Sequence, residues 1–166
     1  MSPKEFHNDF ETFFLFTLMM LFATGCFMVG PLHAQSDSDY KPTSLFDGDV
    51  YCVSYASTNF SYPIASSSHV ASIWNYGPGG VKFYVKGTMG ITWNGGSVTP
   101  EPREKSGTIS ANNGGGDEVN FSFSLRGKPA GRGSISASTE VKVRHLPTNA
   151  VQWGRTANAS NNFFLP

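Results

Sequence analysis

Alternating apolar and polar positions mark out strands along much of this chain. The longest run spans Ser134–Arg144. There Ile135, Ala137, Thr139, Val141 and Val143 fall on one side, with Ser134, Ser136, Ser138, Glu140, Lys142 and Arg144 on the other. Val119, Phe121, Phe123 and Leu125 alternate in the same way with Asn120, Ser122, Ser124 and Arg126. A period of two puts successive side chains on opposite faces of a strand, and alternation this long rarely arises in a helix. A third alternation organises His69–Trp93, read as HVASIWNY, GPGG, VKFYVKG and TMGITW. Proline fixes one φ and glycine supplies any positive one, so Gly77-Pro78-Gly79-Gly80 is strong turn chemistry. The stretch predicts a β-hairpin across that turn with a third strand following it, Met89, Ile91 and Trp93 continuing the alternation. Val81, Phe83 and Val85 give the strand after the turn an apolar face, while Lys82, Tyr84 and Lys86 give it a cationic-aromatic one.

Turn signals divide the rest. Asn94-Gly95 suits a tight two-residue hairpin turn. A Pro- and charge-rich loop is expected from Thr99 to Ser106, where Pro100 and Pro102 rule out a central strand. Asp49–Ala56 reads as a first strand, with Val50, Cys52 and Tyr55 as buried candidates, and Gly107–Ala111 as a short one. Residues 35–68 form an acidic stretch. Within it, Gln35–Ser44 reads as a flexible lead-in and Asn59–Ser68 as a loop. No stretch after residue 34 shows a helical period with caps. The expectation is an all-β domain over residues 69–166, a single antiparallel β-sandwich or small barrel.

A leader precedes it. Phe13 to Leu32 form a nearly uninterrupted apolar run of 20 residues, followed by Ala34-Gln35 and the polar SDSDY. This is the layout of a secretory signal peptide cut near Ala34. The run is also long enough to span a bilayer as an anchor, and Ala23-Thr24-Gly25-Cys26 loosely matches a lipoprotein processing site. Each version sends residues 35–166 out of the cytosol, so the protein is expected to be secreted, or anchored through residues 13–32. Only Cys52 remains after residue 34, which leaves no internal disulfide framework.

Charge changes the picture slightly. Residues 35–68 set Lys41 against Asp37, Asp39, Asp47 and Asp49, whereas residues 69–166 hold ten Lys/Arg against five Asp/Glu. The strand-rich part is therefore mildly basic and favours anionic surfaces. Catalytic signatures are missing: there is no GxSxG, HExxH or P-loop, and His69 and His145 are not spaced as a metal pair. Glu101, Glu104, Asp117 and Glu118 lie in or beside loops, where solvated charges are common. The reading is therefore non-enzymatic, with no cofactor, metal or nucleic-acid partner expected. Asn59, Asn120 and Asn158 head N-glycosylation sequons. The candidate ligand-binding residues are Trp74, Tyr76, Lys82, Tyr84, Lys86, Trp93 and Trp153. Trp and Tyr suit a membrane interface, and Lys attracts phosphate.

Several segments together resemble the aegerolysins, small β-sandwich proteins of fungi and bacteria. Asn75-Tyr76-Gly77, then Val81-Lys82, then Trp93 and Gly95, resembles that family's first hairpin. Phe121–Ile135 is similar to its later Gly-Arg segment, and Arg144-His145 followed by Trp153-Gly154 and Asn158 to its Arg-His and Trp-Gly stretch. Leu125 and Val151 stand near places where that family usually has cysteine. The resemblance covers roughly residues 69 to 160 and matches Trp93 and Trp153 by motif. It implies binding to a membrane lipid, typically of sphingolipid-type headgroup, and the mildly basic charge adds an anionic headgroup as the other candidate. It also implies a role as the membrane-recognition component of a pore-forming, cytolytic system with a perforin-like partner. The alternative is a carbohydrate-binding or protein-interaction β-sandwich without catalysis.

Overall fold

The computed structural model describes residues 35–166; the expected leader, residues 1–34, lies outside them. Two antiparallel sheets face each other. The first has the order β1-β2-β3-β7, built from β1 (Gln35–Leu45), β2 (Val50–Ser61), β3 (Ile64–Asn75) and β7 (Asn113–Ser124). The second centres on β4 (Val81–Trp93) paired with β8 (Gly131–His145). Its outer columns are β5 (Gly96–Val98) and β6 (Arg103–Ile109) on β4, and β9 (Val151–Trp153) and β10 (Ala157–Leu165) on β8. No α-helix occurs among the described residues. The β-sandwich anticipated from the alternation is the architecture observed.

Several local expectations change. The stretch His69–Trp93 is not a hairpin, because β3 and β4 belong to opposite sheets. Both strands already carry a full inward face: Ala71 and Ile73 on β3, Val81, Phe83, Val85, Met89 and Ile91 on β4. The Pro-Gly turn therefore carries the chain across the core, where both faces can be buried. Second, the flexible lead-in at Gln35–Ser44 is strand β1, paired with β2 from Gln35↔Phe60 to Leu45↔Val50. The loop expected at Asn59–Ser68 is β2, a tight turn at Tyr62-Pro63 and β3. Third, β6 begins at Arg103, inside the proline-rich loop, as an outer column of its sheet. Tyr55 points outward, because the inward set on β2 is Val50, Cys52, Ser54 and Ala56. The hairpin turn at Asn94-Gly95 forms as expected, with Gly95 at φ +89°.

The core is apolar around β4 and β8 and small or polar around β2. Val81, Val85, Ile91, Ile135, Val141 and Val143 are fully buried, each contributing about 1.5–3 kcal/mol by leaving water. Opposite β2, Ala56 packs with Ala137, Ala157 and Ala159. Cys52 is enclosed, and burial pushes its thiol up to about 12, so it is not a nucleophile. His69 is also enclosed. Its Nε2 lies 2.9 Å from Ser67 Oγ and its Nδ1 2.9 Å from Thr139 Oγ1, which donates to the Tyr55 carbonyl at 2.9 Å. That last bond leaves Thr139 Oγ1 free to accept from Nδ1–H, and Nε2 to accept from Ser67. Gly87 makes the space, since a Cβ there would lie 2.7 Å from the imidazole.

Burial lowers the His69 pKa to about 4. The unfolded chain, at the ordinary value of about 6.5, binds the proton first. Stability is therefore full above that value and falls as acid takes the pH from there toward about 4, by about 3 kcal/mol in total. Urea midpoints measured across that window should show the slope, and His69→Gln should flatten it.

One edge is closed by side chains rather than by a strand. The N–H groups of Asn158 and Ser160 on β10 donate to Asp39 Oδ2 (2.9 Å) and Asp37 Oδ2 (2.8 Å) on β1. Arg155 N–H donates to Thr43 Oγ1 at 3.0 Å. The Asn158 N–H is the main reason the Asp39 carboxyl is held below its usual value, with Lys41 3.0 Å away adding to it. Unpaired strand edges invite pairing with other chains, and here alternate acidic side chains occupy that edge. Replacing Asp37 and Asp39 together by Ala should cost about 1–3 kcal/mol at neutral pH, read as a lower urea midpoint.

Candidate ligand-binding face

The outer face of the second sheet gathers cations around aromatic rings. The alternation of β4 turns Lys82, Tyr84 and Lys86 outward, and β8 does the same for Glu140, Lys142 and Arg144. Register makes them neighbours: Lys82↔Arg144, Tyr84↔Lys142 and Lys86↔Glu140. β9 then lays Trp153 beside Lys142. Lys142 Nζ sits 4.3 Å from the centre of the Tyr84 ring and 5.6 Å from that of Trp153, while Lys82 Nζ lies 5.0 Å from Tyr84. Ammonium groups over ring faces are attracted by the ring quadrupole. Lys86 pairs loosely with Glu140 at 3.9 Å, and Arg144 Nη2 donates to Asn149 Oδ1 at 2.7 Å. Trp153 is 59% exposed, more than any aromatic here except Phe164.

Of the seven residues singled out from sequence, four share this face: Lys82, Tyr84, Lys86 and Trp153. The other three lie elsewhere. Trp74 is on the outer face of the opposite sheet, where its ring lies over Gly114 of β7; a Cβ there would come within 2.8 Å of it. Tyr76 lies beyond the end of β3, its N–H donating to the Asp49 carbonyl at 2.7 Å. Trp93 ends β4 on the inner side, against Phe123 at 6.2 Å and beneath Lys128 at 5.1 Å. Trp74 and Tyr76 do not join Lys82 and Tyr84 on neighbouring strands, because β3 and β4 lie in different sheets. Lys142 and Arg144 were missed as site residues. Their alternation already marks them as outward, but only the β4–β8 register brings them to Tyr84.

Below this cluster the same face becomes small and hydroxylic. Thr88 and Gly90 of β4, Ser136 and Ser138 of β8, and Asn158 and Ser160 of β10 line a shallow groove of about 460 Å³. The sequon residues Asn59, Asn120 and Asn158 are all exposed. Among the described residues, no three of His, Cys, Asp and Glu converge on a metal position. Lys142→Gln should lower stability by only about 0.5–1 kcal/mol, the scale of an exposed cation–π contact. A urea titration giving a loss of core size would instead assign Lys142 a structural role.

No protein-family model and no curated protein matches the chain. Among solved structures, a protein from Archaeoglobus fulgidus is similar at 9% identity and a TM-score of 0.41, over 70% of this chain and 95% of that one. TmCBM61, solved in complex with beta-1,4-galactotriose, is similar at 13% identity and a TM-score of 0.14, over 76% of this chain and 87% of that one. Likenesses this low bear on neither fold nor function.

Proposed function

We propose that this chain is a non-catalytic recognition module, acting outside the cytosol, that binds anionic headgroups of a membrane lipid through the outer face of its second sheet. The observation that carries it is Lys142 placed between Tyr84 and Trp153, with Lys82 and Arg144 beside them. The core needs none of these side chains. Together they offer cations for phosphate or sulfate oxygens and amphipathic rings for the headgroup layer. Lys82, Lys86, Lys142 and Arg144 outnumber Glu104 and Glu140, the two carboxylates on the same rows. The narrower reading, a lipid-recognition partner of a perforin-like protein, rests on the aegerolysin resemblance alone, and only Trp153 of its two matched tryptophans lies on this face.

The hydroxyl-lined groove supports a second reading, recognition of a glycan. Vesicle sedimentation with phosphatidylserine against phosphatidylcholine tests the first, and sphingomyelin, which shares the zwitterionic phosphocholine headgroup, tests only the narrower sphingolipid reading. Each cation near an anionic surface is worth about 1 kcal/mol, so Lys82→Gln with Lys142→Gln should weaken binding to phosphatidylserine vesicles roughly thirtyfold. Failure to bind any of these vesicles, with binding on a glycan array, would select the second reading. Silence in both assays removes both.

A further inference from the structure

A different surface carries its own inference, independent of the face around Tyr84. Three connections and a strand end meet at one end of the sandwich: the turn at Tyr62-Pro63, the turn at Asn94-Gly95, residues 125–132, and Phe163–Leu165 of β10. They are tied together. Leu125 N–H donates to the Pro63 carbonyl at 2.7 Å, and Asn94 Nδ2 to the Ala130 carbonyl at 3.1 Å. Phe163 stacks on Phe60 at 4.3 Å, and Phe164 lies opposite Arg132. The described chain begins here, because Gln35 pairs with Phe60 and its carbonyl accepts from Asn161 Nδ2.

This end is apolar and positive at once. Phe164 is 65% exposed, Tyr62 40% and Ile64 38%. Arg126, Lys128 and Arg132 lie in the same segments, which contain no Asp or Glu. Asp37, the nearest carboxylate along β1, is held by the Ser160 N–H. The connections at the opposite end, residues 46–49, 76–80, 110–112 and 146–150, hold Asp47 and Asp49 and no Lys or Arg. The cations at that end, Lys82 and Arg144, stand on the sheet face instead, one residue inside β4 and β8. The positive, aromatic end is also the one where, two residues before Gln35, the sequence leaves a 20-residue apolar run.

We propose that this end seats on a bilayer with anionic headgroups: Arg126, Lys128 and Arg132 meet the phosphates, and Phe164, Tyr62 and Ile64 enter the interface. Exposed aromatic side chains lose little entropy in such a layer, and basic residues at an anionic leaflet gain from its surface potential. The test uses the full chain in phosphatidylglycerol–phosphatidylcholine vesicles that carry a headgroup nitroxide. With Trp93 as the only tryptophan (Trp74→Phe, Trp153→Phe), its emission should be quenched. With Trp153 as the only one, quenching reports the Tyr84 face separately and does not bear on this end. Arg126→Gln, Lys128→Gln and Arg132→Gln together should weaken seating roughly a hundredfold, seen as lost Trp93 quenching. Quenching of Trp153 alone would overturn this proposal and leave the Tyr84 face as the membrane contact. An unquenched Trp93, or Trp93 quenching that survives the triple substitution, would also overturn it. If a tryptophan variant fails to fold, an environment-sensitive dye on Phe164→Cys with Cys26→Ser gives the same readout, because Cys52 is enclosed.

Discussion

The pairing of β4 with β8 is the constraint on which the rest depends. It runs in unbroken register from Val81↔His145 to Thr92↔Ser134. Because side chains alternate, a slip of β4 by one residue against β8 would turn Val81 and Val85 out to water and bring Lys82, Tyr84 and Lys86 into the core. The cost of burying unpaired ammonium groups makes that slip prohibitive. The same register that closes the core therefore also places Lys142 over Tyr84, so the candidate binding face needs no scaffold of its own.

The interior on the β2 side follows a different rule. Ala56, Ala137, Ala157 and Ala159 bury little area, and His69, Ser67 and Thr139 satisfy one another by hydrogen bonds. Among the described residues, the hydroxyls of Ser54 and Thr58 are enclosed without a partner, each at a cost of about 1–3 kcal/mol. This side of the sandwich draws less on apolar burial and more on polar closure, which is why β1 matters. That strand buries one apolar residue, Leu45, yet its carboxylates hold the outer N–H groups of β10.

That division explains what could be read in the sequence. Val119–Arg126 and Ser134–Arg144 were legible because their inward positions are apolar, and burial is what the alternation records. β1 was not, since Asp37, Asp39, Lys41 and Thr43 alternate with other polar residues and look like a linker. Their role exists only opposite β10, more than a hundred residues away in sequence. The turn at Gly77–Gly80 was legible as a turn but not as a crossing, because turn chemistry specifies reversal and not which sheet receives the next strand. For the site, sequence order placed Lys82, Tyr84 and Lys86 on one face. Lys142, Arg144 and Trp153 join them through pairing alone.

The two proposed surfaces constrain each other. Arg132 and Lys142 lie ten residues apart on β8, roughly 33 Å along an extended strand. With the end at Arg126, Lys128 and Arg132 on a bilayer, the Tyr84–Trp153 cluster stands well clear of that surface. With a Debye length of about 8 Å at physiological salt, most of the attraction between them is screened. A ligand held at Tyr84 then belongs to an opposing surface or to solution, and not to the bilayer under the protein. The hydroxyl groove lies between the two, on the same face and nearer the base. An extended anionic chain, such as a glycan rooted in an opposing surface, could run from the cations into it. A compact headgroup would use the cations alone.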